Sequence, residues 1–259
     1  LQQDPTHEGA QAALERLIED SALRQRTAAI LEPIYSDQGS HEELVRVLEV
    51  RLEDVADSHS QVEILSRIGF LLENELGKAN DAFLAYARAF EAHPSNPEPR
   101  AELRRLADDN GLHEFYCEVL EKGISSVEGD ITLSCELLEE VATLYDMQLE
   151  SPELAENAYR RLLDADPENP ETALPAARAL ENIYLSSESW QKLVEILNLI
   201  VRFTDEPIEQ QEHLARAAEI QEVYLENPED AIRTYREILD LMPDDLTSLH
   251  HLERLEPEL

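Results

Sequence analysis

The sequence predicts an all-α protein made of a repeated set of helices, and three observations carry that prediction. Apolar residues recur at three- and four-residue spacing along nearly the whole chain, as in Leu44, Val47, Leu48 and Leu52 or Leu138, Val141, Leu144 and Tyr145. That is the period of a helix with one buried face. Alternating polar and apolar runs long enough for strands are missing. The same pattern of residues also returns at a nearly fixed interval, the mark of a repeat architecture.

The elements follow in order from their breaks. Ser36-Asp37-Gln38-Gly39-Ser40, His93-Pro94-Ser95-Asn96-Pro97, Asp108-Asp109-Asn110-Gly111, Asp166-Pro167-Glu168-Asn169-Pro170 and Met242-Pro243-Asp244-Asp245 hold the residue types that stop one helix and cap the next. Between such breaks the chain divides into about fourteen helices of about three to five turns each. Three segments superpose: Ala82 to Tyr86 to Pro94, Ala155 to Tyr159 to Pro167, and Ala231 to Tyr235 to Pro243. Before each lies a helix in matching register, with Leu65/Leu138/Leu214, Ile68/Val141/Ala217 and Gly69/Ala142/Ala218 aligned. Two further helices align at Leu44/Tyr116/Leu193 and at Leu31/Leu103/Leu180. The prolines Pro94, Pro167 and Pro243 stand 73 and 76 residues apart. The repeat is therefore a four-helix set, expected at 40–109, 112–184 and 188–256. Leu14 and Leu17, placed after Pro5 as Leu103 and Leu106 are after Pro94, mark a partial set at 1–37.

These residues resemble the tetratricopeptide repeat family, in a divergent, bacterial-type form. That motif is a helix pair with a small residue on the first helix, then Ala, an aromatic, and a terminal Pro. Gly69, Ala82, Tyr86 and Pro94 fit it, as do Ala142, Ala155, Tyr159 and Pro167, and Ala218, Ala231, Tyr235 and Pro243. The pattern departs at the second small position, where Leu162 and Ile238 stand, and each copy carries one extra residue between its two helices. The resemblance implies a right-handed α-solenoid of stacked antiparallel helix hairpins, one array over residues 1–259. Physical reasoning agrees, because each pair has too wide an apolar face to bury alone and needs its neighbours to cover it.

Composition narrows the function. The chain carries 57 acidic against 21 basic side chains, a formal charge of −36, with 42% hydrophobic residues. That is too apolar for a disordered acidic tail, and the charge opposes a nucleic-acid or anionic-membrane surface. No apolar run approaches the roughly 18 residues that span a bilayer. Two cysteines make no disulfide framework, so a reducing, cytoplasmic setting is the default. The opening Leu1-Gln2-Gln3-Asp4-Pro5, without an initiator Met, reads as a piece excised from a longer chain.

Motifs for chemistry are incomplete. His41-Glu42-Glu43-Leu44-Val45 and His113-Glu114-Phe115-Tyr116-Cys117 begin like zinc-peptidase helices, but Val45 and Cys117 occupy the place of the second His. Adjacent His250 and His251 face different sides of a helix. Cys117 and Cys135 read as buried thiols before a redox pair. The seven glycines form no phosphate loop. No enzyme activity, cofactor or metal is expected.

The family resemblance implies a ligand groove lined by the first helix of each pair. Carried over, its positions are Glu63, Ser66, Phe70 and Glu73, then Glu136, Glu139, Thr143 and Asp146, then Glu212, Ala215, Glu219 and Glu222. Eight of these twelve are carboxylates, which favours a basic peptide or protein segment, with Phe70 as an apolar anchor. Against this stands a compositional origin, since Lys78, Lys122 and Lys192 are the only lysines. The expected function is a protein-interaction scaffold; the alternative is a structural spacer or self-assembly module that associates end to end.

Overall fold

The periodic apolar stretches fold as helices throughout the residues that the computed structural model describes, 8–127 and 129–255. The chain forms two compact units, Leu1–Val127 and Glu128–Leu259. The first contains α1 (Glu8–Leu17), α2 (Arg24–Gln38), α3 (His41–Leu52), α4 (Ser58–Phe70), α5 (Ala79–Ala92), α6 (Pro97–Asn110) and α7 (His113–Ser126). The second contains α8 (Ile131–Met147), α9 (Pro152–Ala165), α10 (Pro170–Ser186), α11 (Trp190–Phe203), α12 (Pro207–Glu219), α13 (Pro228–Leu241) and α14 (Leu246–Leu255). Among the described residues there are thus fourteen α-helices and no strand. By residue number the expected four-helix sets take in α3–α6, α7–α10 and α11–α14, with α1 and α2 in the partial set, while the division at Val127 falls inside the second set. Pro5 and residue 256 lie outside the described residues. On α1 it is Ile18, just past the helix end, that is buried, whereas Leu17 is exposed.

Local chemistry sets the boundaries. Asp57, Asn96, Asp130, Asn169 and Asn227 accept backbone N–H bonds at the starts of α4, α6, α8, α10 and α13, satisfying donors that have no partner inside the helix. Pro97, Pro152, Pro170, Pro207 and Pro228 open their helices, where the missing N–H costs nothing. Helices α5, α9 and α13 stop at Ala92, Ala165 and Leu241, because the residue before Pro94, Pro167 or Pro243 is driven out of the helical region.

Within each unit a helix packs mainly on its chain neighbours, as α4 does on α5 or α8 on α9, so each unit is a stack of helix hairpins. The repeat residues make the seam. Gly69, Ala82, Ala142, Ala155, Ala218 and Ala231 are all buried, beside buried Tyr86, Tyr159 and Tyr235. At Gly69 the approach is closest: a Cβ would stand 2.7 Å from the ring of Tyr86.

The extra residue between paired helices has a structural home. α4 runs into a π-helical turn at Leu71–Glu75 and α12 into one at Ile220–Tyr224, the form in which a helix absorbs a one-residue insertion. All three copies close with the same wide bonds: Leu76, Leu149 and Leu225 donate to Leu71, Leu144 and Ile220 at 3.1, 3.0 and 3.0 Å.

The turns after these closures, and those after α2, α6 and α10, need a left-handed residue. The first unit places Gly39, Gly77 and Gly111 there, at φ 66, 65 and 67°, while the second places Glu150, Glu188 and Glu226, at φ 47, 53 and 51°. A side chain in this region costs about 1–2 kcal/mol from crowding of Cβ against the carbonyl. Glu150→Gly should therefore raise stability by about 0.5–1 kcal/mol in urea denaturation, the relief being offset in part by the greater freedom of unfolded Gly. An unchanged or lowered midpoint would show that Glu150 makes a compensating interaction.

Candidate partner-binding surface

The carboxylates that the repeat register assigns to a groove fall into two kinds. Some are held by the chain itself. Glu73, at the π-turn after α4, takes a 2.6 Å bond from Arg105 on α6, which also grips Glu102 at 2.8 Å. Glu222, in the π-turn after α12, is paired with Arg254 and with His251 Nδ1 at 3.0 Å, both on α14, and takes a 3.3 Å bond from the Tyr235 hydroxyl. Burial would raise the Glu222 carboxyl, but the bonds from Arg254 and His251 and their charge outweigh it and hold it below the ordinary range. Glu63 lies 3.5 Å from His59 across one helical turn.

The others face solvent. Glu136, Glu139, Glu212 and Glu219 are exposed on α8 and α12. Asp146 is half-buried and lines a cleft of about 280 Å³ with Pro152, Asn182, Ile183, Ser186 and Ser187. Phe70 is 52% exposed, large for a Phe at the end of a packed helix, and Met147 and Val223 are exposed close to Asp146 and Glu222 in sequence. Each unit therefore bears exposed apolar side chains among carboxylates.

The sequence reading found no basic residue among its twelve positions, and the structure adds the ones it missed. Arg105 and Arg254 come from the second helix after each π-turn, α6 and α14, both eleven residues past their proline. Arg178, the same position of the middle copy, pairs with Glu209 at 3.3 Å. Similar cross-links tie other neighbours: Arg67 to Glu32 at 2.6 Å, Arg216 to Glu181, Arg88 to Glu49 at 2.7 Å, and Lys122 to Glu91 at 3.1 Å. The scarce cations thus stitch successive hairpins together, and surplus carboxylates remain at the surface.

The remaining candidates sit as follows. His41 lies 3.4 Å from Glu75 and His113 3.0 Å from Asp108. Cys117 and Cys135 are buried free thiols, and burial pushes Cys135 upward. His251 stacks on Tyr235 with ring centres 4.7 Å apart. Among the described residues no group of three or more His, Cys, Asp or Glu is placed to hold a metal ion, and no helix is long and apolar enough to cross a membrane. The sequence reading also missed an aromatic pair: Trp190 of α11 stacks on Tyr224 with ring centres 4.1 Å apart.

Hairpins closed by a small residue against an aromatic and stopped by Pro give this chain a helical-repeat fold similar to that of tetratricopeptide arrays. No family model matches the chain, and no curated protein matches it. Solved structures do. YrrB, described as a tetratricopeptide protein with an unusual peptide-binding site, is 16% identical, with 73% of this chain and 91% of that one covered at a TM-score of 0.38. MamA is 18% identical over 73% and 96%, with a TM-score of 0.40. PilF of Pseudomonas aeruginosa is 14% identical over 91% and 97%, with a TM-score of 0.37.

Proposed function

We propose that the chain is a non-catalytic scaffold whose acidic hairpin faces capture a basic peptide or protein segment. The observation that carries this reading is the partition of charge: cations are engaged between neighbouring hairpins, while Glu139, Asp146, Glu212 and Glu219 are left without ion pairs among the described residues. A field of one sign speeds encounter with a cationic segment and rejects acidic ones, while exposed Phe70, Met147 and Val223 supply apolar area. The free thiols fit a reducing compartment, and we place the protein in the cytoplasm.

The test is titration of a labelled basic peptide against the wild type and a Glu136→Gln, Glu139→Gln, Asp146→Asn variant. With about 0.5 kcal/mol for each exposed pair, the variant should bind about tenfold more weakly, and added salt should weaken the wild type similarly. Binding indifferent to both would overturn the acidic-face reading. A second reading, end-to-end self-association, draws on Leu246, which is 79% exposed on α14. Such apolar stacking would strengthen with salt, so sedimentation at low and high salt separates the two.

A further inference from the structure

We propose that the Trp190–Tyr224 stack, flanked by Glu188 and Glu226, is a docking point for an arginine side chain; this rests on the reading of a basic partner and names how one of its residues is held. In the other two copies the matching positions carry polar groups. By register, Trp190 corresponds to His41 and His113, and Tyr224 to Glu75 and Gln148. In the first copy those positions hold a polar contact, His41 with Glu75 at 3.4 Å. In the third they hold two rings at an angle of 26°, with Tyr224 53% exposed. Trp and Tyr are enriched among the residues that anchor a partner.

The backbone points to the same place. Glu188 precedes Trp190 by two residues, and Trp190 N–H donates to the Glu188 carbonyl at 2.9 Å. Glu226 follows Tyr224 by two residues. Both are held at positive φ, where the matching residues of the first unit, Gly39, Gly77 and Gly111, are glycines. Residues held in this region cluster at ligand-binding sites. No ion pair holds either carboxylate among the described residues. Glu150 shares the strain without an aromatic neighbour at its Gln148 position, and nothing in the structure explains it.

The chemistry selects the ligand. The face of a Tyr or Trp ring is electron-rich and attracts a cation, and a nearby carboxylate completes its charge. A guanidinium does both at once, because it is flat enough to stack and forked enough to bond a carboxylate through two N–H groups, which an ammonium cannot match. The chain already builds such a site internally. Arg160 lies 5.4 Å from the centre of the Tyr184 ring and 3.6 Å from the Glu195 carboxylate.

Trp190 is the only tryptophan, so its emission reports directly on the site. We would titrate a peptide of alternating Gly and Arg, its Lys counterpart and its citrulline counterpart against the whole chain. The Arg peptide should change Trp190 emission saturably, the Lys peptide should need several-fold more, and the citrulline peptide should do nothing. Tyr224→Ala should weaken the Arg peptide by about fivefold or more, the scale of one cation–π contact. Glu188→Gly with Glu226→Gly should weaken it comparably while raising the melting temperature, a pair of opposite changes that a purely structural role would not produce. The Glu136→Gln, Glu139→Gln, Asp146→Asn variant should bind the Arg peptide about tenfold more weakly but reach the same Trp190 emission change at saturation. Binding that is silent at Trp190 and lost only in that triple variant would overturn the docking point and leave the acidic-face reading standing. No binding of the Arg peptide at all would overturn both, and equal response to Arg and Lys would overturn the arginine assignment.

Discussion

Gly69→Val is expected to destabilise the first unit by about 2–3 kcal/mol, the scale of inserting carbons into a filled core. The reason is local and geometric. A Cβ at Gly69 would meet the Tyr86 ring at 2.7 Å, and both residues are buried, Tyr86 to 5% exposure. The ring cannot swing into solvent without uncovering the seam between α4 and α5. Gly69→Ala is a milder case, since Ala142 and Ala218 occupy the same position beside Tyr159 and Tyr235, and alanine's better helix propensity returns about 1 kcal/mol. Chemical denaturation followed by circular dichroism gives the two values. Combining Gly69→Val with Tyr86→Leu should cost less than the two changes added separately, because the shortened side chain vacates the contested space. A Gly69→Val midpoint equal to wild type would mean that the seam is looser than the distance states.

Tyr184→Ala should be the most damaging single change in the second unit, at about 3–5 kcal/mol for removing a buried aromatic ring. Tyr184 is fully buried on α10. Its hydroxyl donates to Glu156 at 2.9 Å and accepts from Arg160 Nε at 2.8 Å, both on α9, and Lys192 of α11 lies over its ring. Burial, with Glu156 adding to it, pushes the phenol up to about 12. Tyr184→Phe keeps the ring and loses the hydroxyl. It should cost only about 1–1.5 kcal/mol, because Glu156 retains Lys192 and Arg160 retains its charge partners. The gap between the two variants, read from urea midpoints, separates packing from hydrogen bonding. Equal losses would place the weight of this junction on the hydroxyl.

What the sequence made legible follows from range. Pro94, Pro167 and Pro243, with the Ala and Tyr before each, act within a turn or two of where they stand, so helix pairs α4–α5, α8–α9 and α12–α13 could be read directly. The fourteen-helix count rests on the same short-range signals. The surface was less legible because its pairings join distant positions. Arg105 reaches Glu73 and Arg254 reaches Glu222 across thirty-two residues each, and long flexible side chains leave no periodic trace. The Trp190–Tyr224 stack was hidden because Tyr224 lies in a π-turn, which rotates the side chains that follow it relative to a regular helix. The left-handed turns at Glu150, Glu188 and Glu226 were hidden for another reason: turn signals favour Gly and Asn, and glutamate announces nothing.

Those turns have a consequence for how such an array can change through descent. Glycine and glutamate codons differ by a single base, so a turn can pass from an uncharged, relaxed backbone to a strained one bearing a carboxylate in one mutational event. The rest of the hairpin need not alter, because packing is confined to neighbours. Charge at the rim can then be gained or given up copy by copy, which lets duplicated hairpins diverge in what they recognise while the core they share stays under the same constraint.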